Sequence, residues 1–200
     1  MTTTDGRRAR GDLSRETVMR LAVDIASVDG LEGLSIGTLA MGANLSKSGV
    51  VALFGSKEKL QLAAIHAARE IFIAFVIAPA LTKQGGRERL DAMLDNWIRY
   101  SETRIFAGGC FFAAATAEMA SKQGPVHDAV ADQVRGWDDT LSRVITRAVE
   151  KGELDPPEDV AQLAFEIRAV LDAANTDSLI FGSAEPYERA RTALRRLLLP

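Results

Sequence analysis

The sequence predicts an all-α protein of about nine helices, and three observations support this fold class. Apolar residues recur at intervals of three and four along most of the 200 residues, as they do on one face of an α-helix. No segment alternates polar and apolar residues for long enough to predict a β-strand. No glycine-rich loop joins a strand to a helix, which excludes the common phosphate-binding α/β folds. Packed helices are therefore the expected architecture.

The N-terminal segment is predicted to be an arm followed by one helix. Residues 1–12, MTTTDGRRARGD, contain almost no apolar side chain and are predicted to be disordered. Ser14 is the expected N-cap of the first helix, because a serine hydroxyl accepts a hydrogen bond from a free backbone amide of the first turn. Gly30 is expected to end this helix, because glycine adopts the positive φ that a helix C-terminus often requires.

Two short helices follow, separated by a tight turn. Ser35 is the expected N-cap of the second helix, which Gly42-Ala43-Asn44 ends after about two turns. Asn44 stands where such turns often have glycine, and asparagine tolerates the left-handed conformation that the turn needs. Ser46 is expected to cap the third helix. The inward-facing residues of that helix are predicted to be Val50, Leu53 and Phe54.

The remainder of the chain is predicted to contain six more helices. A long fourth helix is expected to begin after Ser56 and to run to Pro79, followed by a surface loop at residues 83–86. Five further helical patterns are centred on residues 90–98, 110–119, 126–148, 160–174 and 190–198.

Charge, cysteine content and hydropathy limit the class of protein. The net charge of −3 argues against a surface that binds nucleic acid everywhere, but residues 1–60 carry +1 and the rest carries −4. Any contact with a polyanion is therefore expected within the N-terminal residues 1–60. The single cysteine, Cys110, cannot form an internal disulfide, which fits a reducing cytoplasm. The longest apolar run, residues 71–81, is about half of a bilayer span, so we expect a cytoplasmic protein without membrane contact.

The two short helices have the layout of a helix-turn-helix that reads DNA. A recognition helix needs short side chains on its outer face, so that it can enter the major groove, and apolar anchors on its inner face. The outer face of the third helix is predicted to carry Ser46, Lys47, Ser48, Gly49 and Ala52. Free amides at the N-terminus of this helix would also face a phosphate favourably.

Residues 35–60, SIGTLAMGANLSKSGVVALFGSKEKL, resemble the N-terminal domain of TetR-type transcriptional regulators. The resemblance implies a homodimer that binds double-stranded operator DNA and a small-molecule effector. It places DNA contacts at Thr38, Ser46, Lys47, Ser48 and Gly49, and a phosphate contact at Lys57. The family often has Tyr or His where this chain has Val51 and Ala52, so fewer side-chain contacts are expected, with Arg7, Arg8 or Arg10 of the arm compensating in a minor groove.

The expected domain organisation follows from this resemblance. Residues 1–12 are the arm, residues 13–60 the helix-turn-helix domain, and residues 61–200 a helical domain for ligand binding and dimerisation. We expect a repressor released from its operator by a small apolar or weakly polar effector. The alternatives are a DNA-binding protein without an effector, a redox sensor that uses Cys110, and an activator of the same architecture.

The helical domain holds aromatic residues that are expected to line a ligand cavity. Cavities in helical bundles lie between facing helices and are lined by aromatic and aliphatic side chains with few polar groups. The predicted lining residues are Trp97, Tyr100, Phe106, Cys110, Phe111, Thr116, Trp137 and Phe165. Asn96 and Asn175 are candidates to orient the ligand. An ordinary packed core is the alternative interpretation of most of these rings.

The last two helices, residues 157–199, are expected to form the dimer interface. They combine wide apolar stripes with small residues, which let helices approach closely, so two helices from each subunit can form a four-helix contact. A simple cover for the monomer core is the alternative.

Catalytic and metal sites are not predicted. Cys110 and His127 could pair as nucleophile and base, but Cys110 lies in the apolar stretch GGCFFAAA, where a thiol is usually a small buried hydrophobe. The two histidines, His66 and His127, are too few and too distant in sequence for a metal motif. No enzyme activity, metal or cofactor is therefore expected.

Overall fold

The computed structural model describes the backbone of residues 5–199 and the side chains of residues 15–199. All regular elements in this part of the chain are helical. They are α1 (Asp5–Gly33), α2 (Ile36–Gly42), α3 (Lys47–Phe54), α4 (Lys57–Phe72), a π-helical turn (Ile73–Ile77), α5 (Ala78–Leu81), α6 (Arg87–Glu102), α7 (Phe111–Met119), α8 (Pro125–Glu150), α9 (Val160–Phe181) and α10 (Glu185–Leu197). Because α4, the π-helical turn and α5 form one rod, the described residues contain nine helices, as predicted.

The start of the first helix differs from the prediction. Helix α1 begins at Asp5, so residues 5–12 are helical rather than disordered, and Ser14 lies inside the helix instead of capping it. Extension of an existing helix needs no new nucleation, and residues 7–10 (RRAR) have high helix propensity, which offsets the two glycines of this segment. Gly30 has the predicted positive φ (φ 77°, ψ 169°), but it interrupts α1 rather than ending it, since α1 continues to Gly33.

The N-terminal helices form a compact three-helix unit that rests on α4. Helix α1 packs against α2 and α4, and α3 packs against α2 and α4. The serines expected at the second, third and fourth helices act as N-caps, because the hydroxyls of Ser35, Ser46 and Ser56 each accept a backbone N–H of the following turn. The contact face of this unit includes the buried side chains Val18, Ala22, Leu39, Val50 and Leu60.

The rod from Lys57 to Leu81 leads from the three-helix unit into the rest of the molecule. By length and composition alone this rod could cross a membrane, but core helices of soluble proteins pass the same test. Here it packs against α1, α6 and α8. The π-helical turn at Ile73–Ile77 inserts an extra residue into the helical ladder, a feature that often occurs at functional sites.

The larger unit is a bundle of α6 to α10 built around a group of aromatic rings. Phe72 lies at the centre of this group, with ring centroids at 5.6 Å from Tyr100, 6.2 Å from Phe112 and 5.1 Å from Trp137. These pairs are edge-on, the arrangement that aromatic quadrupoles favour. Phe106 and Phe111 extend the group toward the end of α6.

Candidate nucleic-acid interface and internal cavity

The turn between α2 and α3 is closed by a Schellman motif. Asn44 has φ 52°, so it takes the left-handed position that was predicted for it. The Leu45 amide donates to the Ala40 carbonyl at 2.9 Å, and the Asn44 amide donates to the Met41 carbonyl at 3.3 Å. These bonds satisfy the last carbonyls of α2 and set the direction in which α3 leaves the turn.

The N-terminus of α3 is exposed and carries short polar side chains. Ser46 Oγ accepts the Gly49 amide at 3.0 Å and lies 3.0 Å from Ser48 Oγ. Ser46, Lys47 and Ser48 are exposed, and Gly49 is half-buried. The stem of Lys47 passes over α2, since a Cβ added at Gly37 would lie 3.7 Å from Lys47 Cε. The front of this helix therefore offers hydroxyls and one ammonium group at its positive dipole end.

The back of α3 is held by apolar contacts. Val50 and Phe54 are buried, and Leu53 is half-buried against the core. The guanidinium of Arg15 on α1 lies 5.7 Å from the centre of the Phe54 ring. On the front, Val51 is 45% exposed. The helix thus has a fixed orientation and a bare outer face.

Two other predicted DNA contacts have partners inside the protein. Thr38 forms a capping box with Ser35: the Thr38 amide donates to Ser35 Oγ at 3.1 Å, and the Ser35 amide donates to Thr38 Oγ1 at 2.9 Å. Lys57 Nζ donates to the backbone oxygen of Glu32 and to its Oε2, both at 2.9 Å. This pairing lowers the pKa of Glu32, chiefly through the hydrogen bond from Lys57 and also through its charge. The arginines of the predicted arm, Arg7, Arg8 and Arg10, have side chains outside the described residues.

A small cavity that is partly open to solvent, called the internal cavity, lies among α4, α6, α7, α8 and α9. Its volume is about 30 Å³, enough for a water-sized group. The lining residues are Phe72, Trp97, Cys110, Phe112, Ala113, Thr116, Gln133, Val134, Trp137, Arg168 and Asp172.

A larger groove of about 410 Å³ lies on the other side of Trp137, between α4 and α8. Its apolar wall includes Ile65, Ile73 and Ile77, two of which belong to the π-helical turn. Gln133 and Trp137 line both the groove and the internal cavity. These two side chains therefore form the partition between the two spaces.

The residues predicted to line a pocket fall into three groups. Trp97, Cys110, Thr116 and Trp137 line the internal cavity. Tyr100, Phe106 and Phe111 are buried in the aromatic group beside it. The eighth residue of the predicted set, Phe165, lies on the outer face of α9 instead.

Phe165 is the residue that the structure removes from the predicted pocket. It is 52% exposed, and the Arg168 guanidinium lies 5.4 Å from its ring centre. Residues on two faces of α9 are apolar, so periodicity alone did not distinguish the inner face from the outer one. The two asparagines are also occupied: Asn175 Oδ1 accepts Ser101 Oγ and the Cys110 amide at 2.8 Å, and Asn96 donates to the Val76 carbonyl at 3.2 Å.

Charged residues at one end of the cavity were missed by the sequence analysis. Arg168 Nε donates to Asp138 Oδ1 at 2.8 Å, and Arg168 Nη1 lies 3.7 Å from Asp172 Oδ2. Burial raises the pKa of Asp172 to about 6, opposed by the charge of Arg168 and supported by that of Asp138. The spacing of Arg168 and Asp172 is four residues, which usually indicates a pair on an exposed helix face.

Cys110 is buried at the start of α7. Burial, the main cause, raises the pKa of its thiol to about 12. Since the thiolate is the form that reacts with oxidants, this environment suppresses reactivity at neutral pH. Among residues 15–199, no group of three or more His, Cys, Asp or Glu side chains is placed to hold a metal ion.

Helix α7 connects the cavity to the three-helix unit. Its Phe112 and Thr116 line the cavity, and its Glu118 accepts the amides of Leu31 at 2.6 Å and Glu32 at 2.7 Å. These amides are free because Gly30 interrupts α1 just before them. A Cβ at Gly30 would lie 2.7 Å from Glu118 Oε2, so glycine also provides the space for this carboxylate.

A second contact joins the same two regions. The Gly108 amide donates to Ser27 Oγ at 3.1 Å, and a Cβ at Gly108 would overlap the Ser27 backbone oxygen. The loop before α7 thus rests directly on the backbone of α1. Gln61 of α4 adds a buried bond, since its Nε2 donates to the Leu31 carbonyl at 2.6 Å.

The outer face of α9 is apolar and exposed, and the half-buried Ala193 and Leu197 of α10 lie beside it. Phe165, Leu179, Ile180 and Phe181 are all more than 40% exposed, and Ile180 reaches 70%. Ala169 lies on the same face between the larger residues. Such a patch on a folded protein usually marks a contact with another protein chain.

Comparisons with known proteins agree with this architecture. Residues 86–194 match the family model described as tetracyclin repressor-like, C-terminal domain. A TetR transcriptional regulator from Chloroflexus aurantiacus J-10-FL is similar, with 27% identity over 93% of this chain and 94% of that chain and a TM-score of 0.81. A TetR family regulator from Agrobacterium tumefaciens has 17% identity over 94% of this chain and 99% of that chain, with a TM-score of 0.84.

A third similar structure is AibR in complex with isovaleryl coenzyme A and operator DNA. It has 18% identity over 94% of this chain and 99% of that chain, with a TM-score of 0.76. A search of curated protein sequences found no match.

Proposed function

This chain belongs to the TetR family of transcriptional regulators, and we propose that it is a homodimeric repressor that a small effector releases from its operator. Members of this family are DNA-binding regulators rather than enzymes. The observation that carries the proposal is the exposed N-terminus of α3, which is anchored from behind by Val50 and Phe54 and aimed by the turn at Asn44. We expect the protein to act in the cytoplasm.

The outer face of α3 is proposed to enter the major groove. Ser46, Lys47, Ser48 and Gly49 would contact the duplex there, with Thr38 at the start of α2. These side chains are short, so affinity is expected to depend mainly on phosphate contacts. Lys57 would exchange one of its bonds to Glu32 for a phosphate oxygen.

The dimer is proposed to form through α9 and α10. Burial of the exposed apolar side chains of α9 would provide the driving force, and Ala169 would allow close approach of the two copies of α9. The two recognition helices would then reach successive major grooves, about 34 to 36 Å apart or at a related spacing.

Effector binding is proposed to act through α7 as well as through the rod that begins with α4. Both elements line the internal cavity, and both contact the end of α1, through Glu118 and Gln61. A ligand that enlarges the cavity would shift these contacts and so change the spacing of the recognition helices. Such coupling requires different ligand affinity in the two arrangements. One similar structure, AibR, holds both a small molecule and operator DNA.

The alternative of a redox sensor is less well supported. Cys110 is buried, and its thiol has a pKa of about 12, so oxidants would find little thiolate at neutral pH. A constitutive DNA-binding protein remains the second candidate, because the internal cavity holds only about 30 Å³ before any rearrangement. That candidate predicts operator affinity that does not respond to any small molecule.

Footprinting on the upstream region of the chain's own gene tests the proposal. We expect protection of a site with two half-sites related by two-fold symmetry, and weaker protection with Lys47→Ala. Lys57→Ala should reduce the slope of log affinity against log salt concentration by up to about one unit, since one phosphate contact is lost. Lys83→Ala, a lysine in the loop after α5, makes the same charge change away from α3 and should leave the slope unchanged. Equal slopes for all three proteins would remove the assignment of Lys57, and no preference for any duplex would refute DNA recognition.

A further inference from the structure

Arg168 and Asp172 line one end of the internal cavity, and Asp138, which lies just outside the lining, adds a second carboxylate beside Arg168. Arg168 is the one cationic side chain that lines this cavity among the described residues, and its Nε already donates to Asp138. Asp172 has only a 3.7 Å contact with Arg168, which is too long for a hydrogen bond. Two carboxylates therefore share one guanidinium. When both are ionised, this end of the cavity carries a net charge of −1.

The walls of the cavity suit a cation. Four of the lining residues are aromatic, Phe72, Trp97, Phe112 and Trp137. Aromatic rings attract cations through their quadrupoles, and rings combined with an acidic group are the common means of binding ammonium ions. An anionic ligand group would be repelled by the Asp172 carboxylate, and a neutral group would leave the negative charge of Asp172 without a second cation.

The dimensions of the two spaces indicate the shape of the ligand. The internal cavity accepts a group about as large as a water molecule, whereas the groove beyond Trp137 has about 410 Å³ and an apolar wall. The charged side chains of the groove include Arg69 and Asp132, which are of opposite sign. A molecule with a small charged head and an apolar body would match both spaces, if Trp137 and Gln133 move aside.

We propose that the effector is an amphipathic amine, with its ammonium group bound to Asp172 and its apolar body lying past Trp137 in the groove between α4 and α8. This rests on the proposed function, because it identifies the chemical class of the effector for the same cavity. It also refines the sequence-based expectation of a purely apolar or weakly polar ligand. Burial is the main cause of the raised pKa of Asp172, and an ammonium group beside this carboxylate would offset the loss of its hydration.

Intrinsic fluorescence provides a direct test. The chain has two tryptophans, Trp97 and Trp137, and both line the cavity, so their emission reports on its occupancy. The full-length protein without DNA is titrated with 4-phenylbutylamine, 4-phenylbutan-1-ol and 4-phenylbutyrate, which share one apolar body. We expect the amine to bind about tenfold more tightly than the alcohol, from one partly exposed ion pair plus cation–π attraction. The carboxylate should bind most weakly.

Asp172→Asn identifies the group that selects the charge. This variant should bind the amine and the alcohol with similar affinity, because its side chain has nearly the same size but no charge. Asp139→Asn is the matched control, since Asp139 is exposed on α8 next to Asp138 and does not line the cavity. It should keep the full preference for the amine. Thermal unfolding confirms that both variants are folded.

The affinity for the amine should also depend on pH. Ionised Asp172 is required, and with a pKa of about 6 it is mostly protonated at pH 5, so the affinity at pH 5 should be about tenfold lower than at pH 7.5. The other titratable or charged groups that face it are Arg168, Asp138 and Cys110. Asp172→Asn should remove most of this dependence.

Three results would overturn the proposal. They are equal or tighter binding of the alcohol or the carboxylate by the unmodified protein, an unchanged amine preference in Asp172→Asn, and no change in tryptophan emission with millimolar amine. If the alcohol or carboxylate binds and releases the operator, the regulatory function stands and only the cationic class is wrong. If the amine binds through Asp172 without affecting operator affinity, the ligand class stands and the release mechanism is wrong.

Discussion

The bonds from Glu118 to the end of α1 allow a quantitative test of how the two parts of the molecule are joined. Glu118 accepts two backbone amides, one part-buried and one exposed. Hydrogen bonds to charged groups contribute about 1.5 to 3 kcal/mol when buried and less when exposed, so the pair is expected to contribute about 2 kcal/mol. Glu118→Ala should therefore lower the free energy of unfolding by about 2 kcal/mol.

Gly30→Ala should cost more, for two reasons. The backbone at Gly30, φ 77° and ψ 169°, belongs to a region that is nearly exclusive to glycine, and an alanine there costs about 2 kcal/mol. The added Cβ would also lie 2.7 Å from Glu118 Oε2 and would push the carboxylate away from its amides. Loss of those bonds brings the expected total to about 4 kcal/mol.

The double variant separates the two contributions. In the double variant Gly30→Ala with Glu118→Ala, the Glu118 bonds are lost once, at about 2 kcal/mol, and the backbone strain at residue 30 adds about 2 kcal/mol. The free energy of unfolding of the double variant should therefore fall by about 4 kcal/mol, the same as for Gly30→Ala alone. The sum of the losses in unfolding free energy of the two single variants should thus exceed the loss of the double variant by about 2 kcal/mol. Urea unfolding, followed by circular dichroism at one fixed protein concentration, measures all four proteins, because a dimer unfolds in a concentration-dependent way. Additivity within about 0.5 kcal/mol would show that Gly30 does not provide the space for Glu118.

Further outcomes are expected at other positions. Asn44→Ala should lower the free energy of unfolding by about 1 kcal/mol and Asn44→Gly should not, because only alanine is strained at φ 52°; urea unfolding of both variants checks this. Cys110 should stay unmodified when the folded protein is treated with iodoacetamide at pH 7 and react once urea unfolds it, and fast labelling of the folded protein would contradict its burial. Ile180→Glu should convert the dimer to monomers in analytical ultracentrifugation, because a charge would replace an apolar contact, whereas Glu158→Gln, before α9, should not. Asp172→Asn should stabilise the protein more at pH 7 than at pH 4, because the raised folded-state pKa of Asp172 makes its ionisation unfavourable for folding. The same difference in unfolding free energy between variant and unmodified protein at both pH values would contradict this.

The local structure around α2 and α3 was predictable because its signals are local. Ser35 and Ser46 cap their helices through amides three residues away, and Asn44 takes its left-handed position through its own backbone preference. Each of these interactions spans a few residues, so the sequence contains both partners side by side. The same applies to the positive φ at Gly30.

A local signal gave a wrong prediction where the chain before a capping residue can also be helical. Ser14 is a good N-cap residue, yet the helix continues through it to Asp5, because the arginine-rich segment before it also favours a helix. A capping residue marks a possible start, and the stability of the preceding turns decides whether the helix begins there.

The sequence by itself determined the number and order of the helices, the caps at Ser35, Ser46 and Ser56, and the apolar stripes along the helices. It did not determine which stripe faces which neighbour, because helical periodicity is the same for an inner and an outer face. Only the packing of α9 placed Phe165 outside and put Asp172 at the cavity, and only the fold joined Glu118 to Leu31 across 87 residues. Contacts between residues so distant in the chain leave no periodic signal, so the tertiary structure alone shows how the cavity meets the DNA-reading helices.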